Sequence, residues 1–445
     1  MEINEKIFKA YDVRGIYPDQ LNGEIAYKIA VSYAKKIKPK QVIVGKDMRQ
    51  ASDEIYDQIV EGLIDQGVDV FLAGRMTNPM IGFATWFYAY DGGIIASASH
   101  NPVGYGGIKM MSKGAVSIPG EDTELKSGVI EGNFDSLGDK GSATEVNINK
   151  DYIKFLLKFV NISKLKKTKI FFDPLYGSVG LIIKDLLNEL PVEPVYNNAD
   201  PDQNFGGLSE PNPLNSQVRG GSVEKFKKSG AEFGVIWDGD GDRCFFLDEA
   251  GNFIDAPYIT ALLCEQLSKK YPKLKVVGDA RIIWPIEKAV TENDGQFFST
   301  KAGYRFLKEK MLKEGAEFGA EMTAHYFFKE NHYCDNGIIP FLLVWQIISE
   351  SGQKLSQLLS KYQAGHALSE EIKFQVEDPA EMIKTVKENY REFSQNELDG
   401  LTVESPEFRF NLRGSNTEPV VKLNMEAKSQ EILKREKEKL LSIVK

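Results

Sequence analysis

Three groups of residues in this chain have the types and spacing to do chemistry: a serine loop, a run of alternating aspartates, and a polar loop led by arginine. Ser97-Ala98-Ser99-His100-Asn101-Pro102 follows the apolar run Gly93-Ile94-Ile95-Ala96, which reads as a buried strand. Asn101-Pro102 and then Gly104, Gly106 and Gly107 break the chain into a loop. Because α/β proteins place their chemistry at the exposed ends of parallel strands, Ser99 has the position of a nucleophile carrying a phosphate or an acyl group. Asp238, Asp240 and Asp242 alternate after a second apolar run, Val235-Ile236-Trp237. Three carboxylates so close repel one another, and a hard divalent cation is the simplest way to hold them.

A calcium loop fits these aspartates poorly, although Glu249 falls at its twelfth position. Arg243 stands at the sixth, where the sharp turn needs glycine. Phe245-Phe246-Leu247 and Asp248-Glu249-Ala250-Gly251-Asn252 read as a strand and a turn, not as a flanking helix. Mg²⁺ is therefore the expected ion, with a solvated acidic loop as the alternative. Arg413-Gly414-Ser415-Asn416-Thr417 lies between two alternating strands. A guanidinium, hydroxyls, an amide and backbone donors in one tight loop suit a phosphate; the plain alternative is a polar hairpin turn.

The 445 residues, 42% hydrophobic and 27% charged, have ample material for several folded domains. A net charge of -9 argues against nucleic acid as the main partner, and requires an anion site to gather its positive charge locally. The longest apolar stretch, 338–348, is too short for a bilayer, and residues 1–6 lack a signal peptide's apolar core, so no membrane role is expected. Cys244, Cys264 and Cys334 form no CxxC pair, which suggests reduced thiols and a cytoplasmic protein. With four histidines, a multi-histidine metal site is not expected.

Strand and helix patterns alternate from the start. Asn22 can cap a helix with Ile25, Ile29 and Tyr33 on one face, followed by the strand Gln41-Val42-Ile43-Val44. Lys169-Ile170-Phe171-Phe172-Asp173 leads through Gly177 and Gly180 into a further helix, the pattern of βαβ units with sheets covered on both faces. Gly230-Ala231-Glu232-Phe233-Gly234 recurs as Gly315-Ala316-Glu317-Phe318-Gly319, each after a Lys-rich helical stretch and each before a polar loop. The Ser99 segment shares that helix–strand–loop order, so duplicated domains are expected to deliver equivalent loops. Residues 133–150 are poor in apolar side chains and read as a boundary. Beyond about Ser369, Phe408, Phe410 and Leu412 alternate, as do Val421, Leu423 and Met425, which predicts an antiparallel hairpin sheet before a charged C-terminal helix.

Together these motifs resemble the α-D-phosphohexomutase superfamily of phosphomannomutases and phosphoglucomutases. The resemblance is carried by Phe8-Lys9-Ala10-Tyr11-Asp12-Val13-Arg14-Gly15, the serine loop through Lys109, and Asp238-Gly239-Asp240-Gly241-Asp242-Arg243. Glu321-Met322-Thr323-Ala324-His325 and the loop from Arg413 to Pro419 complete it, with smaller agreements at Gly45-Lys46-Asp47-Met48-Arg49 and Pro211-Asn212-Pro213. It implies three similar α/β domains with mixed sheets sandwiched by helices (1–145, 146–248 and 249–367), plus a smaller C-terminal α+β domain (368–445), arranged around a central cleft. It implies a mutase that shifts phosphate between the 1- and 6-positions of mannose or glucose phosphates, with Mg²⁺ and a hexose 1,6-bisphosphate as activator and intermediate. Small-molecule sugar phosphates are then the partners of a monomer or homodimer.

Carried over by position, the resemblance implies a phosphorylated Ser99 sharing Mg²⁺ with Asp238, Asp240 and Asp242. Arg14 and Lys109 would flank it, His100 would orient it or shape the loop, and Arg243 would orient substrate. Glu321, helped by Thr323, would accept hydrogen bonds from the sugar 3- and 4-hydroxyls in either of two orientations, with His325 as a general acid/base. Arg413, Gly414, Ser415, Asn416 and Thr417 would hold the phosphate that is not reacting. The chain departs from the family pattern at Thr323-Ala324, where Ser-Gly is usual, at Gly303-Tyr304, where Gly-His is usual beside Lys301, and at Lys422, where arginine is common. Met322 favours the mannose/glucose branch, whereas Ser97 is common among phosphoglucosamine mutases. A cation-binding regulatory paralogue and a phosphatase are the other readings.

Overall fold

The computed structural model describes residues 3–136, 138–414 and 420–443. The chain builds the same four-stranded frame three times. In the first copy Gln41–Lys46 pairs in parallel with Asp69–Arg75 on one side and Gly92–Ala96 on the other, and Tyr105–Ser112 returns antiparallel to Gly92–Ala96. In the second, Thr168–Asp173 lies between Val192–Tyr196 and Phe233–Trp237, and Cys244–Leu247 returns. In the third, Lys275–Asp279 lies between Gln296–Thr300 and Phe318–Ala320, and Tyr326–Phe328 returns. The third strand of each copy is buried throughout, which is why these segments read as unbroken apolar runs. The loop leaving it is in each case one that the sequence marks for chemistry: 97–104, 238–243 and 321–325.

The chain divides into two compact units, Met1–Phe253 with Glu330–Lys354 and Ile254–Lys329 with Leu355–Lys445. The first unit holds the first two frames. Val13–Ile16 adds an antiparallel strand with Arg14 opposite Gly107, which brings Arg14 to the serine loop. Asn22 Oδ1 accepts the Ile25 amide at 3.2 Å and starts the helix Gly23–Ile37, whose Ile25, Ile29 and Tyr33 are buried as their spacing requires. Residues 133–150 are more than a linker, because Ala143–Glu145 pairs in parallel with Asp69–Arg75 at the sheet edge. All three of its residues are exposed, so an apolar pattern could not reveal it. The helix Ile338–Ser351 belongs to this unit too, where Trp345 Nε1 donates to Thr168 Oγ1 at 3.0 Å and Trp237 Nε1 to the Gly337 carbonyl at 2.7 Å. Among the described residues no helix is long and apolar enough to cross a membrane.

The second unit holds the third frame and an antiparallel sheet ordered Ala367–Leu368, Val420–Ala427, Phe408–Gly414, Leu401–Glu404 and Ser394–Asn396. Phe410, Leu412, Leu423 and Met425 pack against Val386 and Tyr390 of one helical segment and Leu440 of the C-terminal helix. The alternation in Phe408–Gly414 implies a solvated opposite face, but Arg409 and Asn411 are buried there as well. Arg409 donates to the carbonyls of Arg281 and Ala280 and pairs with Glu426, whose carboxylate accepts the amides of Ile283 and Trp284. A charged pair bonded largely to backbone groups takes the place that water would fill.

Candidate active site

Ser99, Lys109, Arg14 and the three aspartates meet inside the first unit. Ser99 closes the strand–loop junction at φ +51°, a left-handed conformation uncommon for a residue with a side chain. Its Oγ donates to Asp238 Oδ2 at 3.0 Å and lies 3.3 Å from His100 Nδ1. Its amide donates to Ser97 Oγ at 3.0 Å, and Ser97 Oγ in turn donates to Asp240 Oδ2 at 2.9 Å. Ser97 thus ties two loops far apart in sequence, a role the sequence reading did not assign to it. Asn78, at the start of the helix Asn78–Phe87, is a second such residue: its amide donates to the Asp240 carbonyl at 2.8 Å and its Nδ2 to Asp242 Oδ2 at 3.0 Å. The close approach needs glycine, because a Cβ at Gly239 would stand 2.7 Å from the Ser99 carbonyl oxygen. Gly239 also donates its amide to the Pro211 carbonyl at 3.1 Å, which brings the Pro-Asn-Pro segment against the aspartate loop.

Asp238, Asp240 and Asp242 are all but fully buried and present three carboxylate oxygens within 4.8 Å of one another. Lys109 Nζ reaches Asp240 Oδ2 at 2.7 Å and Asp242 Oδ2 at 2.8 Å. Burial pulls the Lys109 pKa down, yet the two aspartates outweigh it and hold the ammonium well above the usual lysine range. Arg14 behaves alike. It donates to Asp12 at 2.9 Å, to the Ala98 carbonyl at 3.3 Å and to Asn101 Oδ1, and Asp12, Asp240 and Asp242 overcome its burial to raise it. Arg243 stands against Asp238, its Nε 3.7 Å from Oδ2.

The donor set fits a hard divalent cation. All three ligands are hard oxygens, and Asp240 Oδ1 is buried without a hydrogen-bond partner, which is costly unless something positive approaches it. Lys109 answers part of the negative charge and leaves that oxygen unanswered.

The remaining predicted residues lie in the second unit. Glu321 is buried; its Oε1 accepts the Gly303 amide at 2.6 Å, and His325 Nε2 stands 4.0 Å from Oε2. Gly303 carries φ +125° and leads into the helix Tyr304–Glu314, so at this departure from the family pattern a backbone amide joins the two loops. Ala324 adopts φ +67°, the conformation glycine would take more easily. Thr323 is half-buried and Lys301 exposed, its Nζ 6.0 Å from the Phe306 ring. Asp279 and Arg281, which the sequence reading passed over, anchor this loop: Asp279 Oδ2 accepts the Met322 amide at 2.8 Å, and Arg281 Nη2 lies 3.8 Å from Glu321 Oε1. The signal was present in Gly278-Asp279-Ala280-Arg281 directly after an apolar strand.

Arg413 and Gly414 close the strand Phe408–Gly414, while Ser415, Asn416 and Thr417 lie outside the described residues. Lys373 is opposite Lys422, and Lys422 is opposite Arg413, across three neighbouring strands. Cations in register repel; among the described residues Glu371 faces two of them, 3.5 Å from Lys422 and 3.7 Å from Arg413, and Asp399 stands 3.6 Å from Arg413. Burial, with Arg413 and Lys373 adding to it, pulls Lys422 below the ordinary lysine range despite Glu371. Such a row is suited to an anion.

Four spans of the chain match the four domains of one family. Residues 5–134, 150–251 and 255–364 match the alpha/beta/alpha domains I, II and III of phosphoglucomutase/phosphomannomutase, and 371–443 match its C-terminal domain. The chain is 37% identical to a phosphomannomutase of Salmonella montevideo over 452 residues, covering 97% of this chain and 98% of that one. It is 36% identical over 432 residues to phosphohexose mutases of Xanthomonas campestris pv. campestris, covering 96% of each. Its fold matches a crystal structure of a phosphoglucomutase/phosphomannomutase family protein from Burkholderia thailandensis with a TM-score of 0.90 at 26% identity, over 99% of this chain and 97% of that one.

Proposed function

This chain belongs to the phosphoglucomutase/phosphomannomutase family, and we propose that it moves phosphate reversibly between the 1- and 6-positions of mannose and glucose phosphates through a phosphorylated Ser99. As a member of that family it is an isomerase of the phosphohexose mutase class. The observation that carries the finer reading is Ser99 Oγ at 3.0 Å from Asp238, beside two further buried aspartates and the Lys109 ammonium.

In the forward direction phosphoserine gives its phosphoryl group to the 6-hydroxyl of a hexose 1-phosphate. The P–Oγ bond breaks as the P–O6 bond forms, and the hydroxyl proton passes to a base, for which His325 is our candidate. The hexose 1,6-bisphosphate, turned to present its other end, then returns its 1-phosphate: the P–O1 bond breaks as a new P–Oγ bond forms on Ser99, O1 takes up the proton the base had gained, and hexose 6-phosphate leaves. Mg²⁺ held by Asp238, Asp240 and Asp242 would offset the charge of the transferring group and of the serine oxygen it leaves. Arg14 and Lys109 supply fixed positive charge at the same place, and the preorganised cations need no rearrangement as charge develops. His100 and Arg243 orient the loop and the substrate. Glu321 with Thr323 would hold the sugar hydroxyls, Lys301 and Tyr304 its surroundings, and Arg413 to Thr417 the idle phosphate. We divide these tasks among segments 1–145, 146–248, 249–367 and 368–445. Three buried free cysteines support a reducing, cytoplasmic setting.

Purified protein, Mg²⁺ and glucose 1,6-bisphosphate, offered mannose, glucose and glucosamine 1-phosphates in turn, test the reading. Mannose and glucose phosphates are expected to turn over, with one phosphate on Ser99 by mass spectrometry. Ser99→Ala should lose that phosphate and at least ~10³-fold of kcat. Preference for glucosamine phosphate overturns the sugar assignment, net phosphate release makes the protein a phosphatase, and neither phosphate nor turnover makes it a cation-binding paralogue.

A further inference from the structure

Arg49 has no part in the roles assigned so far, yet it is completely buried against the nucleophile loop. Its guanidinium grips peptide oxygens. Nη2 donates to the carbonyls of Ser99 and Asn101, both at 2.6 Å, and Nη1 to that of Pro102 at 2.7 Å. Asp47 balances the charge from 3.4 Å, and the guanidinium carbon lies 5.0 Å from the centre of the Phe205 ring. The fork is therefore spent on backbone, with those bonds aimed at residues 99–102 and not towards a ligand.

The carbonyls it holds explain how Ser99 keeps φ +51°, since a strained conformation persists only where its surroundings over-determine it. Arg49 is itself fixed from behind. Asp47 Oδ1 accepts its amide at 2.9 Å and the Ser52 hydroxyl at 2.6 Å, and Arg75 Nη1 donates to the carbonyls of Asp47 at 3.1 Å and Met48 at 3.0 Å. The turn that carries Arg49 occurs at the end of the first strand of all three frames: Asp173 Oδ1 accepts the Leu175 amide at 3.0 Å and Asp279 Oδ1 the Arg281 amide at 3.0 Å. Both Asp-X-Arg triplets start one residue beyond the one paired with the end of the third strand, Lys46 with Ala96 and Gly278 with Ala320. The turn recurs with arginine, leucine and arginine in its third place, and only Arg49 of the three reaches across to the carbonyls of the loop in front of it.

We propose that Arg49 is a positioning residue for phosphoryl transfer, holding the carbonyls of Ser99, Asn101 and Pro102 so that Ser99 Oγ points at the reacting phosphorus. This rests on Ser99 being the phosphoryl carrier. A misplacement of about 1 Å in such a step costs on the order of 10²-fold, and a lysine ammonium cannot meet the carbonyls that a planar fork spans.

The test compares Arg49→Lys and Arg75→Lys with wild type by kcat, KM, melting temperature and the single-turnover rate of phosphoryl loss from Ser99. Arg49→Lys is expected to lower kcat and the single-turnover rate by roughly 30–100-fold while KM stays within about threefold. Arg75→Lys, one layer out and partly exposed, is expected to fold normally and lose about 3–10-fold with the same split, so it carries the test if Arg49→Lys does not fold. A lower melting temperature with kcat per folded molecule unchanged, or a loss confined to KM, overturns the proposal. Wild-type protein without phosphate on Ser99 or bisphosphate-primed turnover overturns the carrier reading beneath it, and shows this before any variant is made.

Discussion

The serine loop of the first frame and the glutamate loop of the third leave the same strand of the same four-stranded fold, and they are fixed differently. Each contains one left-handed residue, Ser99 at φ +51° and Ala324 at φ +67°, and each has an Asp-X-Arg triplet behind it. Arg49 spends its donors on three loop carbonyls. Arg281 turns back on its own aspartate, Nε to Asp279 Oδ1 at 2.7 Å and Nη2 to Oδ2 at 2.9 Å, and reaches Glu321 only at 3.8 Å. An oxygen that exchanges a covalent bond, the role we propose for Ser99, must be aimed, and the backbone carrying it is clamped. A carboxylate that accepts sugar hydroxyls, the role we propose for Glu321, must keep its charge and lone pairs, and the arginine stands near it without occupying it. The two frames thus differ in what one arginine holds, as the two proposed roles require.

That contrast breaks most visibly at Asp240, the carboxylate shared by Ser97 and Lys109 on the serine side. Asp240→Asn is expected to lower kcat by roughly 10²–10³-fold and to raise the Mg²⁺ concentration needed for half-maximal rate. Chelating Mg²⁺ from wild type should reproduce most of that loss, and re-addition should reverse it in wild type alone. Steady-state rates against Mg²⁺ concentration decide it; a variant with wild-type metal dependence would mean that the aspartates only pair with Lys109.

The fold was largely legible, for a physical reason. The third strand of each frame is buried on both faces and must be apolar, so Gly93-Ile94-Ile95-Ala96, Val235-Ile236-Trp237 and Phe318-Gly319-Ala320 announced themselves, and so did the loops behind them. Ala143–Glu145 stayed hidden because an exposed edge strand buries nothing. Residues whose types imply chemistry were legible in the same way, Asp238, Asp240 and Asp242 above all. The tasks of Ser97, Asn78 and Arg49 were not, because each bonds to a segment far away in sequence that only folding brings near. Asp279 and Arg281 did carry a local mark, their place at the end of an apolar strand.

A milder break lies at Arg281. Its charge keeps Asp279 ionised: burial pushes that carboxyl up, but Arg281 and the amides of Met322 and Arg281 win and hold it below the ordinary aspartate range. Arg281→Lys preserves the charge and loses the two-pronged contact, so the loop should loosen at the Met322 amide and at Glu321, our proposed sugar ligand. We expect KM for the sugar phosphate to rise about 3–10-fold with kcat within about threefold, the reverse of the Arg49 split. Equal losses in kcat for both arginines would erase the distinction between aiming and holding.

The smallest effect asks which part of the second unit yields first to acid. Because its folded pKa is depressed, Asp279 contributes stability above its unfolded value of 3.8 and loses it only as pH falls through a lower folded value. His366 acts earlier. It is buried, with Lys428 and Lys288 near it, and burial first and those cations second lower its pKa from 6.5 to about 4. Below pH 6.5 the unfolded chain takes a proton that the folded histidine refuses, so stability falls from there and the loss levels off as pH reaches about 4. Thermal melts from pH 7 to 4.5 should show wild type losing about 2 kcal/mol more than His366→Gln, which cannot titrate. Identical slopes for the two proteins would move the acid sensitivity away from His366, and with it the claim that the glutamate loop's fixture outlasts the scaffold around it.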